Sequence, residues 1–330
     1  MTTIVIIGVA MALLFDLLNG MNDAANSIAT VISTRVMSPR WGVLWAALFN
    51  VIGAFGFGVS VATTIGKGVV DPGVITPEIV LAALTGAIAW VYACTHLGLP
   101  ISVSHALVGG LCGAALMASG PGALQSAGLI KIGAFIVVSP VFGMVISAGL
   151  MLLLNLVVRS WTKRRVEAVF SKLQLVSAAG YSISHGTNDA QKTMGIISVL
   201  LFSAGLLGEE FYVPTWVIVA STAAIGLGTA CGGWKVIRTM GMKLTNLRPM
   251  GGFAAETGGT ISVLTASAFG IPVSTTHTIA GSIVGVGMAK NVGAVRWGLA
   301  KHIVWAWILT IPVSALIGAL CYLLLHHFIS

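Results

Sequence analysis

Charge is what this chain has least of: Asp, Glu, Lys and Arg together make up 8% of its 330 residues, against 57% hydrophobic. So little charge excludes an ordinary soluble domain, whose surface needs it, and points to an all-α polytopic membrane protein. Cysteine is equally sparse. Cys94, Cys112, Cys231 and Cys321 stand singly in apolar segments without C-x-x-C spacing, which excludes a zinc ribbon, a redox dithiol and a paired disulfide framework. No Ser or Cys sits in a recognisable nucleophile–base arrangement, so an intramembrane hydrolase is disfavoured and no enzyme is expected. The one imbalance of charge is a net +8, but Lys and Arg fall in short loops between apolar runs, the juxtamembrane pattern rather than a nucleic-acid-binding patch.

What is present is a series of apolar runs, from Ile4–Ser33 to Leu299–Leu325, with lengths suited to helices that cross or enter a core about 30 Å thick. The first could be taken for a signal peptide, yet it lacks a basic start and a small-residue cleavage site, and it is read as a span. Inside these runs the chain repeats itself. Asn22-Asp23 and Asn188-Asp189 lie 166 positions apart. Ala82-Ala83-Leu84-Thr85-Gly86 matches Ala254-Ala255-Glu256-Thr257-Gly258, and Pro100-Ile101-Ser102-Val103-Ser104-His105 matches Pro272-Val273-Ser274-Thr275-Thr276-His277, both at an offset of 172. Motifs in the same order at nearly equal offsets imply a tandem repeat: residues 1–158, a basic cytoplasmic linker at 159–174, and residues 175–330.

Charge placement orients the copies. Arg35 and Arg40 follow the first Asn-Asp segment, whereas Arg159, Lys163, Arg164, Arg165 and Lys172 precede the second, so the positive-inside rule makes the two cross in opposite senses. The expected fold is two inverted-topology repeats with broken helices. Two re-entrant hairpins, Ile79–Met117 and Phe253–Met288, leave and return to the same side, and both termini fall outside.

A carboxylate at the bilayer centre costs on the order of 2.5–3.5 kcal/mol, so the duplicated acids need positive partners. Gly20 and Gly186, beside residues that compete with helical hydrogen bonding, are the expected points of unwinding. Asp23, Asp189, Asn22, Asn188 and Asn26 would then offer hard oxygen ligands to an alkali or alkaline-earth cation, although Asn and Asp also serve as plain helix caps. At the hairpin tips, Ser102, Ser104, Ser274, Thr275 and Thr276 stand where half-helices begin, a place for an oxyanion or for simple N-capping. His105 and His277 have no second ligand at metal spacing and are expected to hydrogen-bond within the fold; no metal beyond the coupling cation is expected. No Arg occurs in either tip or either Asn-Asp segment, so co-bound cations must neutralise an anion there, a physical reason for obligatory symport. Lys192 aligns with Asn26, and either stands in for one coupling cation or pairs locally with Asp189. Glu256 aligns with Leu84 and is a candidate cation ligand or proton-carrying group; Asp16 could line the access path.

At these residues the chain resembles the inorganic phosphate transporter (PiT) family of cation-coupled phosphate symporters. The likeness is carried by Gly20-Met21-Asn22-Asp23-Ala24-Ala25-Asn26-Ser27, by His185-Gly186-Thr187-Asn188-Asp189-Ala190-Gln191-Lys192, and by the two Pro-x-Ser-x-(Ser/Thr)-His tips. The resemblance implies phosphate as substrate, bound by Asn22, Asn188 and the tip hydroxyls. By that likeness Asp23 and Asp189 are binding positions too, and sodium or protons would drive uptake by alternating access with no cofactor; Asn26 and Glu256 join them as cation ligands on their own chemistry. The second copy departs from the family's Gly-Ala-Asn-Asp-Val-Ala-Asn, reading Thr-Asn-Asp-Ala-Gln-Lys, which bears on the coupling ion. The long central loop of eukaryotic members is missing, which resembles a prokaryotic inner-membrane form. Sulfate or another tetrahedral oxyanion, and an anion channel, are the alternatives. Small residues such as Gly53, Gly56 and Gly58 would permit a homodimer.

Overall fold

In lipid, only a helix satisfies its backbone polar groups within one segment, and the apolar runs obey that constraint. The computed structural model describes residues 2–56, 68–208, 210–269, 271 and 273–329; Gly58 and Pro272, which entered the sequence reading, lie outside the described residues. Among those described there are eleven α-helices and, apart from an isolated Val70–Leu124 bridge, no β structure. The first half supplies α1 (Thr2–Ser33), α2 (Pro39–Gly56), α3 (Pro77–Leu97), α4 (Val103–Ser119) and α5 (Ser126–Val157). The second supplies α6 (Lys163–Ser203), α7 (Thr215–Cys231), α8 (Trp234–Lys243), α9 (Pro249–Ala268), α10 (Thr275–Lys290) and α11 (Trp297–Ile329). Helices α1, α3, α5 and α11 are each long and apolar enough to cross a membrane, and α7 with α8, bent by 65°, forms another span if the pair is counted as one. Gly232, with φ 69°, and Gly233 make that bend.

The halves interlock rather than standing side by side. The hairpin α3–α4 packs on α11 from the second half, while the hairpin α9–α10 packs on α5 from the first; α1 packs on α7, and α2 on α6. Outward faces of α5 and α11 expose large apolar side chains such as Val145, Leu153, Leu316 and Leu324, a belt suited to lipid.

Two expectations are corrected. The segment 159–174 is not a loop for most of its length, because α6 starts at Lys163 and runs on through the second Asn-Asp pair, its first turn capped by Thr162. Nor are the helices unwound at Gly20 and Gly186: α1 and α6 are unbroken there. These glycines serve close approach instead. A Cβ on Gly20 would sit 2.2 Å from the Ile225 carbonyl oxygen on α7, and one on Gly186 would sit 2.0 Å from that of Asn50 on α2. The entropic cost of glycine in a helix, about 1 kcal/mol, is offset by backbone-to-backbone packing that a larger residue forbids.

The same contacts recur in both halves. Gly53 meets the Ile183 carbonyl as Gly228 meets that of Leu17; Gly113 meets Ala315 as Gly285 meets Met144; and Pro140 within α5 has its counterpart, 172 positions on, in Pro312 within α11. A Gly113→Ala Cβ would lie 1.9 Å from the Ala315 carbonyl oxygen, whereas nothing stands within 4 Å of one on Gly149. Overpacking of this kind costs about 1–3 kcal/mol, so Gly113→Ala is expected to lower the unfolding temperature of detergent-solubilised protein and Gly149→Ala to leave it unchanged. Equal melting of the two variants would refute this account of the glycines.

Candidate functional site

Because α1 is continuous, Asn19, Asn22, Asp23, Asn26 and Thr30 recur at helical spacing on one buried face. On α6, His185, Asn188, Asp189 and Lys192 do the same. The two faces meet. His185 Nε2 lies 3.5 Å from Asp23 Oδ2 and 3.3 Å from Asp189 Oδ2, so one imidazole bridges the two repeated carboxylates, and the three side chains converge closely enough to hold a cation. Asn50 orients that ring: its Nδ2 donates to Thr229 Oγ1 at 2.9 Å, leaving its Oδ1 to face His185 Nδ1 at 3.3 Å.

Both hairpin tips reach this centre. Gly98, left-handed at φ 73°, ends α3, and Ser102 caps α4 by accepting from the His105 backbone N–H at 3.2 Å. Ser274 caps α10 in the same way, accepting from the His277 N–H at 3.2 Å. Thr276 Oγ1 donates to Asp23 Oδ1 at 3.0 Å, and Thr275 Oγ1 lies 3.5 Å from Asp23 Oδ2 and 3.4 Å from Asp189 Oδ2. The Lys192 ammonium donates to Asp189 Oδ1, to Ser104 Oγ of the first tip and, at 3.2 Å, to the Val273 carbonyl of the second. One fixed cation therefore joins an acidic helix to both tips: Lys192 makes the local pair with Asp189 and reaches Ser104 and Val273 as well.

The repeat is visible in bonds as well as letters. Asn22 Nδ2 donates to Thr95 Oγ1 at 2.8 Å, and its counterpart Asn188 donates to Ser267 Oγ at 2.9 Å, partners again 172 positions apart. Asn26 Nδ2 donates to Thr276 Oγ1 at 3.0 Å, as Lys192 does to Ser104. Asn22 and Asn188 thus keep Oδ1 free of hydrogen bonds and turned inward among buried groups.

Glu256 is not gathered into the centre. It accepts from Thr30 Oγ1 at 2.5 Å, from Gln174 Nε2 at 3.1 Å and from Ser177 Oγ, a cage two turns along α1 from Asp23. His105 and His277, expected to hydrogen-bond through their side chains, leave ring nitrogens unpartnered and pack by their faces: their centroids are 4.9 Å apart, and His277 stacks on Trp307 at 3.8 Å. Trp307 Nε1 donates to the Pro100 carbonyl at 3.0 Å and Tyr181 to the Thr275 carbonyl at 2.8 Å, which pins each tip from another helix. Sequence reasoning passed over His185, Asn50, Tyr181 and the cage of Glu256. The spacing of His185, four residues before Asp189 on a helix, was the available signal, and the unwinding expected at Gly186 hid it.

Residues 19–318 match the Phosphate transporter family. The chain belongs to that family. It is similar to proteins described as "Probable low-affinity inorganic phosphate transporter" from Rhizobium meliloti (strain 1021), at 55% identity over 95% of this chain and 94% of the relative, and from Bacillus subtilis (strain 168), at 42% over 96% and 95%. Among solved structures it is similar to "The sodium-dependent phosphate transporter", with a TM-score of 0.88, 28% identity, and 98% of this chain and 99% of that one covered. Family members are transporters rather than enzymes, and this one is a membrane protein with several apolar spans.

In the transporter the Lys192–Asp189 pair is about 1% exposed, so removing one partner strands a buried charge. Asp189→Asn is expected to destabilise the detergent-solubilised protein by about 3–5 kcal/mol, and adding Lys192→Met to recover most of that loss. Additive losses in thermal or denaturant unfolding would show that the pair is not coupled.

Proposed function

We propose that this chain takes up inorganic phosphate by symport with a cation, sodium or proton, through alternating access. The observation that carries the reading is the convergence of two hairpin tips and two acidic helix faces on one buried centre without an arginine. A multiply charged oxyanion placed there meets carboxylates, so it becomes comfortable only when cations arrive with it. Ser102, Ser104, Ser274, Thr275, Thr276, Asn22 and Asn188 supply hydroxyl and amide groups for phosphate. Asp23, Asn26, Asp189 and Glu256 hold cations, Glu256 from its separate cage, and Lys192 stands in for one of them. The printed name of the solved relative supports sodium.

Contacts that recur at offsets of 166 and 172, together with opposite placement of basic residues around the two Asn-Asp segments, support inverted repeats at 1–158 and 175–330. The hairpins α3–α4 and α9–α10 are then re-entrant, and exchange of access follows from one tip or the other releasing the centre. The transporter would sit multi-pass in a prokaryotic inner membrane with both termini outside, and glycine-lined faces would serve a homodimer.

Labelled phosphate should accumulate in proteoliposomes under an imposed sodium or proton gradient, with excess sulfate failing to compete. Flux without concentration under either gradient indicates a channel and overturns the proposal; competition by sulfate transfers it to a wider oxyanion class. Lys192→Asn should raise the cation-to-phosphate ratio by one, and an unchanged ratio removes the surrogate-cation role.

A further inference from the structure

Among the described residues four acids lie buried, and three of them are answered. Asp23 accepts from Thr276, Asp189 pairs with Lys192, and Glu256 accepts from Thr30, Gln174 and Ser177. Asp16 is the exception. It is 0% exposed, and neither carboxylate oxygen has an ion-pair partner or a hydrogen bond of full geometry. Such a group is rare in a folded protein, because burying an unsatisfied carboxylate costs far more than burying one that is paired.

Its surroundings are chemically coherent. The Thr193 side chain on α6 and the Asn19 side chain one turn further along α1 face the carboxylate, and Thr193 Oγ1 and Asn19 Oδ1 are themselves buried without partners. A carboxylate, a hydroxyl and an amide, with no fixed charge among them, therefore gather where α1 crosses α6. This is two helical turns, about 10 Å, along α1 from Asp23. The charged or titratable groups that act on Asp16 are Asp189 and His185, both on α6; one is an acid already paired with Lys192, and the other already faces two carboxylates. Helix α7, which packs on α1 next door with Gly228 against Leu17, carries no Asp, Glu, Lys, Arg or His. Helix α3 has only Glu78 and His96 of those types, one at each end, with Tyr92 and Cys94 near the second. Among the described residues no fixed cation reaches Asp16.

The repeat sharpens the point. At an offset of 166, Asp16 corresponds to Ser182, whose hydroxyl simply donates to the Ala178 carbonyl of its own helix, and Asn19 corresponds to His185. The first copy thus carries an acid where the second has a satisfied neutral group, so the symmetry of the fold does not require Asp16 to be there.

We propose that Asp16, with Thr193 and Asn19, is a monovalent-cation site separate from the Asp23–His185–Asp189 centre, and that its occupant is one of the ions moved with phosphate. The proposal rests on the symport reading and adds to it the place of one ion. Hard oxygen donors without nitrogen or sulfur suit a sodium ion or a proton, not a transition metal.

The test compares the wild-type transporter with Asp16→Asn in proteoliposomes, in one arm counting sodium per phosphate with labelled sodium and in the other counting protons per phosphate with an internal pH dye. Asp16→Asn should lower one ratio by one; the arm in which it falls identifies the ion, and identical ratios in both arms overturn the proposal. If Asp16→Asn does not fold, Thr193→Val keeps the acid and removes a ligand. It should weaken the half-saturating concentration of the coupling ion about 5-fold, and an unchanged value is equally fatal. Cation-dependent thermal stabilisation in phosphate-free detergent is the readout that does not depend on transport. A wild type that is stabilised by sodium or acid but shows no coupled uptake refutes the symport reading alone; stabilisation retained in full by Asp16→Asn refutes the Asp16 site alone.

Discussion

The ammonium of Lys192 is the contact on which the centre of this protein depends. It binds an acid on its own helix and one atom from each hairpin tip, so three separate pieces of chain are held by a charge 1% exposed. A buried charge of this kind tolerates only a fully paired environment, and that demand propagates outwards. Asp189 must stay near Lys192, His185 must stay near Asp189, and Asn50 must hold the ring of His185. Both tips must then remain at the crossing of α1 and α6, pinned there by Trp307 and Tyr181. Under the proposed cycle, opening on either side means taking one tip away from this ammonium, so the Lys192 contacts are the ones that any exchange of access has to break.

Close backbone packing makes such a centre feasible in a chain with so few charges. Gly20, Gly53, Gly186 and Gly228 each bring their helix within reach of a neighbouring carbonyl, which places α1 and α6 against α7 and α2 with no side chain between. Apolar packing in lipid supplies little drive for helix association, and small residues replace it with dispersion contacts at short range. The polar side chains on the remaining faces of α1 and α6 are then forced towards one another.

Much of this was legible from residues alone, because repetition is a signal that needs no coordinates. The Asn-Asp pairs, the serine-rich tips and the offset of Lys192 against Asn26 all marked groups that the structure brings together. What stayed hidden has a common physical cause. Gly beside Asn and Asp reads as a helix breaker when propensity is the guide, but Gly20 and Gly186 were selected for tertiary packing, which overrides a propensity cost of about 1 kcal/mol. With the helix wrongly interrupted, the i to i+4 relation of His185 to Asp189 could not be used. The cage of Glu256 was invisible for another reason: Thr30, Gln174 and Ser177 come from two different helices, and nothing in their local sequence separates a ligand from an ordinary helix-face polar residue.

Departures from symmetry are where the two copies divide their labour. Among the aligned pairs that differ in charge or in hydrogen-bonding capacity are Asp16 with Ser182, Asn19 with His185, Asn26 with Lys192, and Leu84 with Glu256. The second copy's own helix α6 provides the bridging imidazole and the fixed ammonium, both facing carboxylates, while α1 carries the acid that has no ion-pair partner. A perfectly duplicated site would place equal and opposite demands on both tips, and neither direction of opening would be preferred on electrostatic grounds. Here the first tip meets the ammonium through Ser104, whereas the second meets it through the Val273 carbonyl and is tied to carboxylates as well through Thr275 and Thr276. Under the proposed function, a negative ligand arriving at the centre would weaken the hold of carboxylates on the second tip, by competing for its hydroxyls, and would compete with Ser104 for Lys192 at the first. The two tips would then respond to the same ion by different contacts, which would give a fold with repeated parts a direction.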